Sequence, residues 1–163
     1  MKELLIVWHS RTGAANAMAE AAAEAARSES DIATRLTRAA KTQPQDLLAA
    51  AGYLFACPEN LAAMSGEMKE FFDRCYYPCL ERLNGRPYAA LIAAGSDGQG
   101  AARQLARIAT GWRLKPIAEP IIVCTHAQAP EAILAQKRIG KGELAPCRQL
   151  GAAMAAGLAM GVF

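Results

Sequence analysis

Short apolar runs alternate along this chain with longer stretches of helical period, and few folds are compatible with that alternation. The runs at residues 4–8, 32–37, 53–57, 89–94 and 121–124 are each bounded by turn or polar residues. Near-continuous apolar strands of this kind belong to a parallel sheet buried on both faces. Between them lie helical stretches at 14–27 and 45–50, followed by a third in which Met68, Phe71, Phe72 and Cys75 recur at i, i+3, i+4 and i+7, with Ser65 placed to cap it. In a fourth, Leu105 and Ile108 oppose Arg103 and Arg107, and in a last one Pro146 takes a first-turn position and the helix continues through Gly151 to Met160. The expectation is an α/β chain, a doubly wound five-stranded parallel sheet with helices on both faces.

Strand order follows from two details. The second run alternates Ile32, Thr34 and Leu36 with Ala33, Arg35 and Thr37, and Pro120 stands at the entrance of the fifth. One-sided wetting and a missing N–H both mark edge strands. Runs two and five are therefore the edges, as an order of 2-1-3-4-5 requires. That order opens a ligand crevice at the switch point between strands one and three, beyond their carboxyl ends. Residues 125–142 form a long connection with a short helix expected at 130–136.

Composition narrows the class. The 163 residues fit one domain, 1–163, and a hydrophobic content of 53% with 20% charged residues suits a packed globule rather than a disordered chain. The longest apolar stretch, 151–163, has 13 residues, short of the about 20 needed to span a bilayer. The run at 4–8 is shorter than an export core of about 7–15 residues. Neither a membrane span nor an export signal is expected. Five cysteines, Cys57, Cys75, Cys79, Cys124 and Cys147, lack C-x-x-C spacing, which argues against a disulfide framework or zinc and for a reducing cytoplasm. With a net charge of +3 and dispersed basic residues, no nucleic-acid partner is expected.

The chemistry lies in three loops. Run one empties into His9-Ser10-Arg11-Thr12-Gly13-Ala14-Ala15-Asn16, a turn of small and hydroxylated residues entering a helix, where free N–H groups and the helix dipole favour a phosphate. It matches neither the P-loop nor the dinucleotide-binding glycine pattern. Run three is followed by Pro58-Glu59-Asn60-Leu61, and run four by Gly95-Ser96-Asp97-Gly98-Gln99-Gly100. In a parallel sheet all three loops share one rim.

On these residues the chain resembles the flavodoxin-like FMN-binding family, particularly its NAD(P)H-dependent FMN reductase and WrbA-like branches. The resemblance covers nearly the whole chain and is carried by Ser10-Arg11-Thr12-Gly13, by Pro58-Glu59-Asn60 with Met64-Ser65-Gly66-Glu67-Met68-Lys69 and Phe72-Asp73-Arg74, and by Gly95-Ser96-Asp97-Gly98-Gln99-Gly100. It implies that Ser10, Arg11, Thr12, Gly13, Ala14 and Ala15 hold the FMN phosphate. Pro58, Glu59, Asn60 and Leu61 would flank the isoalloxazine ring, Gly95, Ser96, Asp97, Gly98 and Gln99 would close its other edge through backbone groups, and backbone N–H groups near Glu59, Asn60 and Gly98 are expected to contact the polar ring edges. It also implies an oxidoreductase that takes electrons from NAD(P)H and passes them through FMN to a small-molecule acceptor, in a homo-oligomer, with no catalytic side chain and no metal. A flavodoxin-type electron carrier and a flavin-free interaction domain are the alternatives. Charge favours the enzyme, because carriers of that family are typically acidic. Two departures bear on flavin affinity. Ala14-Ala15 stand where relatives commonly have Asn-Thr, and no aromatic lies in the second or third loop, which implies either weak flavin affinity or an aromatic such as Trp112, Tyr76 or Tyr77 from a neighbouring subunit.

Other residues carry two readings each. His9 is a hydrogen-bonded structural residue or a phosphate contact. Glu59 is a loop cap or an acid. Cys57 is core packing or a redox group. Asp73-Arg74 reads as a helix-end ion pair, and Arg103 and Arg107 as a solvated face or a contact for a nicotinamide phosphate. Gly151 and Gly157 leave the last helix a smooth side for the sheet or a second subunit.

Overall fold

The computed structural model describes residues 1–163. Its elements are β1 (Lys2–Trp8), α1 (Ala14–Ala26), β2 (Ile32–Arg38), a 3-10 turn (Ala39–Lys41), α2 (Pro44–Ala49), β3 (Gly52–Asn60), β4 (Ala63–Met64) and α3 (Gly66–Cys79). They continue with β5 (Pro87–Ala94), α4 (Gln99–Gly111), β6 (Lys115–Pro116), β7 (Ile121–Cys124), α5 (Pro130–Leu134) and α6 (Lys141–Met160). The parallel sheet runs β2-β1-β3-β5, and β6 and β7 pair successive parts of β5 as one interrupted edge strand. This is the expected order, with the fifth strand broken where Pro116 and Pro120 lack the N–H a ladder needs. The third strand is longer than its apolar run and turns back as an antiparallel hairpin with β4. No helix is long and apolar enough to cross a membrane.

Side chains alternate across the pleat and sort the core into two chemistries. On one face Leu5, Tyr53, Phe55, Tyr88 and Ile92 share a core with Leu47 of α2, Phe71 and Phe72 of α3, Leu105 of α4 and Trp112 at its C-terminal end. Rings dominate there, and Phe55 packs edge-on to Phe72 at 5.1 Å. The other face is alanine-rich: Ile6, Leu54 and Leu91 lie under α1 and α6. With so little side chain between them, those two helices approach until a Cβ on Gly151 would stand 2.1 Å from the Ala22 carbonyl oxygen. Gly151 thus faces α1, and Gly157 faces the ring of Phe163, where a Cβ would meet Cε2 at 2.1 Å. Neither glycine faces the sheet or a second subunit.

Several local expectations are corrected. α6 begins at Lys141, so Pro146 lies inside it; its missing N–H costs one bond near an exposed end, and the turn ahead of it closes through Leu144 N–H to the Gly140 carbonyl at 3.0 Å. α3 likewise continues past Pro78 to Cys79. Asp73 and Arg74 do not pair with each other: residues one apart on a helix point in different directions. Asp73 takes Lys69 at 2.7 Å and Arg74 takes Glu70 at 2.8 Å. Trp112 is buried against Phe71 and Phe72, which removes it as a ring for a neighbouring subunit.

Candidate functional site

At the carboxyl edge of the sheet, two βα turns use one device. Gly13 and Gly98 stand at the N-caps of α1 and α4 with φ of 98° and 87°, in the left-handed region that glycine enters without steric cost. The first turn exposes donors. Gly13 N–H bonds the Ser10 hydroxyl at 3.0 Å, whereas the N–H groups of Thr12, Ala14 and Ala15 have no acceptor in the chain. This is the geometry of a helix-end anion cradle, and its donors are backbone groups, so it is present with alanine at 14 and 15.

Beside the cradle lies a crevice of about 120 Å3. Thr12 and Ala14 line it from the first loop, Pro58, Glu59 and Asn60 from the second, and Gly95 from the third. The remaining predicted residues lie around it. Ser10 and Arg11 face a second cavity across the first loop. Ala15 is buried in α1, Leu61 is 101% exposed at the β3–β4 tip, and Ser96, Asp97 and Gln99 are exposed on the rim.

Glu59 and Gly98 do something other than face a ring. The Glu59 carboxylate accepts the N–H of Gly98 and of Ala101, each at 2.9 Å, and so caps the start of α4. The Gly98 N–H is therefore engaged within the protein. The hairpin carrying Glu59 is held at two more points: Met64 N–H donates to Gln104 Oε1 at 2.7 Å, and the Ala62 carbonyl abuts Gly100, where a Cβ would come within 2.1 Å. These contacts hold Leu61 and Ala62 at φ of 53° and 66°. Two successive left-handed residues make a turn that prefers Asn-Gly, and non-glycine residues there store roughly 1–3 kcal/mol each.

The sequence reading missed the contribution of the segment after β7. Thr125, Ala127, Ile133 and Lys137 line the crevice, and Lys137 N–H donates to the Thr12 carbonyl at 2.7 Å while its ammonium lies 3.4 Å from the Thr12 hydroxyl. Gln136 covers Gly13, with its amide nitrogen 2.0 Å from where a Cβ would be. The only signal in the sequence was the length of this connection. The crevice is smaller than the about 300–1,000 Å3 of ordinary ligand sites because these residues stand across it. A phosphate fits the cradle: the donors are free, a cation is adjacent, and what covers Gly13 is the end of a flexible side chain.

His9 is a structural tie. Its Nδ1 lies 2.7 Å from the Ser65 hydroxyl and its Nε2 3.0 Å from Glu67, joining the first loop to the start of α3. Ser65 holds the N-cap position of α3 but gives its hydroxyl to His9 rather than to the helix. Burial lowers the His9 pKa, against the pull of Glu67. Cys57 is fully buried and its thiol is pushed up to about 12 by desolvation, a packing cysteine rather than a reactive one.

Comparisons with known proteins identify the family and the fold. Residues 9–129 match the family described as NADPH-dependent FMN reductase. A flavodoxin from Aquifex aeolicus is 32% identical over 100 residues, covering 61% of this chain and 54% of the relative. An NAD(P)H dehydrogenase (quinone) from Acidithiobacillus ferrooxidans is 33% identical over 94 residues, covering 45% and 47%. The chain thus spans about half the length of these curated relatives. The crystal structure of a flavodoxin, WrbA-like protein from Agrobacterium tumefaciens superposes with a TM-score of 0.75 over 99% of both chains at 18% identity, which shows the shared fold. Matched over most of its length and carrying the three-loop crevice, the chain belongs to the NADPH-dependent FMN reductase family, flavoproteins of flavodoxin-like fold with FMN as cofactor.

Proposed function

We propose that this chain is an NAD(P)H-dependent oxidoreductase that binds FMN at the three-loop crevice and passes electrons to a small-molecule acceptor. The observation that carries the reading is the cradle: unpaired N–H groups of Thr12, Ala14 and Ala15 beside the Thr12 hydroxyl and the Lys137 ammonium. When bound, FMN supplies the redox chemistry, taking two electrons from a nicotinamide and delivering them to an acceptor. The protein's part is to hold and orient. The first loop and Lys137 neutralise the phosphate, Pro58, Asn60 and Leu61 flank the ring on one side, and Gly95 approaches closely on the other. Glu59 keeps the second and third loops in register through α4, which places it among the positioning residues.

A carrier of flavodoxin type is the second reading, supported by the 32% identity to the Aquifex flavodoxin. The net charge of +3 weighs against it, since docking on basic partners calls for an acidic surface. A visible absorption spectrum, taken before and after adding FMN and desalting, tests the site. Flavin bands retained by the parent and weakened roughly tenfold in affinity by Gly13→Ala, which strains φ and collides with Gln136, are the expected result. No retained flavin at saturating FMN overturns both flavin readings. Flavin that binds but is not reduced by NADH or NADPH favours the carrier.

A further inference from the structure

The interrupted edge of the sheet leaves a hole beside it. Pro116 and Pro120 lack the N–H a ladder needs, and the link between β6 and β7 returns one bond to β5, from Ile117 N–H to the Tyr88 carbonyl at 3.0 Å. Over the same stretch β5 and α4 face each other through short side chains. Tyr88 and Ala90, two apart and so on one face of the strand, look toward Ala102 and Ala106 of the helix. A cavity of about 250 Å3 remains between them. It shares no lining residue with the flavin crevice.

The cavity has few polar groups, and one of them is unused. Tyr88 is only 6% exposed, burial pushes its phenol pKa up, and its hydroxyl has no hydrogen-bond partner in the chain. The other tyrosine on this face of the sheet, Tyr53, donates to the Leu47 carbonyl at 2.6 Å. Thr110, on the helix side, gives its hydroxyl to the Ala106 carbonyl at 2.9 Å. A buried hydroxyl is normally satisfied. Water serves poorly here, because a held water needs about two to four polar partners and the walls around Tyr88 are alanine, leucine and proline. Glu119 stands exposed at the mouth, without an ion-pair partner.

We infer that this cavity binds a small uncharged aromatic molecule carrying one hydroxyl, a ligand of the size and chemistry of phenol. Volume sets the size. An apolar cavity of roughly 150 Å3 holds benzene, so about 250 Å3 takes a single substituted ring. Ala90, Ala102 and Ala106 form a wall with no protruding side chain, the complement of a flat ring. The Tyr88 hydroxyl can donate or accept, and therefore pairs with a ligand hydroxyl in either sense. Charge sets the last limit, since the unpaired Glu119 carboxylate repels an anion at the entrance. The site stands independently of the flavin reading, because none of its residues belongs to the three loops.

The test is NMR of the full nitrogen-15-labelled chain, with FMN added, titrated with phenol and separately with benzoate. Phenol should shift the amides of Ala102, Ala106 and the 117–120 link saturably, and benzoate should bind more weakly by roughly tenfold or more. Tyr88→Phe keeps the ring and removes the hydroxyl, so phenol affinity should fall roughly three- to tenfold. Ala106→Leu fills the cavity from a half-buried helix position and should abolish the shifts. A cooperative thermal melt verifies that each variant is folded. Absence of saturable shifts in the parent overturns the inference. So do benzoate binding as tight as phenol, phenol binding undiminished in Tyr88→Phe or surviving Ala106→Leu, and shifts centred instead on crevice residues such as Asn60 and Gly95.

Discussion

At the scale of single residues, Glu59 shows how a side chain in a flavin loop can serve without touching electrons. Both of its oxygens take helix N–H groups, and the positive end of α4 favours the charge. Glu59→Gln keeps the shape but loses the charge and turns a donor toward one of those N–H groups. We expect a loss of about 1–2 kcal/mol in urea unfolding. We also expect FMN affinity to fall while any flavin that remains bound is still reduced by NAD(P)H. Abolished turnover at full flavin occupancy would instead make Glu59 an acid. The sequence offered cap and acid equally, because a lone carboxylate after a strand has no partner visible in one dimension. Arg74 was misread for the same reason: its neighbour in sequence is Asp73, but its partners in space are Glu70 and two carbonyls beyond β2.

At the scale of elements, the segment from β7 to α6 matters most. Five strand runs and most helix limits are legible from apolar period, since burying a face is a local requirement repeated along each element. The fold of 125–140 over the first loop is not, because it depends on contacts between residues more than a hundred positions apart, such as Lys137 and Thr12. Its ammonium also bonds the carbonyls of Ile133 at 2.9 Å and Ala135 at 2.7 Å, so α5 and the cradle are held together through one cation. Lys137→Gln should weaken FMN binding by roughly three- to tenfold and leave riboflavin, which has no phosphate, unaffected. Fluorescence titration with the two flavins checks this, and equal weakening of both would assign Lys137 to the ring side of the crevice.

For the whole molecule, the tie between the first loop and α3 has a consequence in pH. Burial favours neutral His9, so its pKa in the folded chain lies below the ordinary 6.5. The unfolded chain then binds more protons in the window below that value, and stability falls as pH drops through it. His9→Asn removes this contribution. Global unfolding free energies measured between pH 7.5 and roughly 5 should decline more steeply in the parent than in the variant, and parallel profiles would show that His9 is not held neutral.

The sequence by itself determined the layer architecture, the strand order, the placement of three polar loops on one rim and the resemblance that named FMN. The first three follow from local period, from edge signals such as Pro120, and from the fact that parallel strands send their carboxyl ends to one side, while FMN came only with the family resemblance carried by the residues of those loops. Only the tertiary structure decided which donors stay free and which are used internally. It left the Thr12, Ala14 and Ala15 N–H groups unpaired, gave Gly98 N–H to Glu59, gave the Ser65 hydroxyl to His9, and gathered Arg11, Arg38 and Lys41 around one cavity. Hydrogen bonds and charge clusters are pairings between distant residues, and a chain reveals them only when its elements are packed.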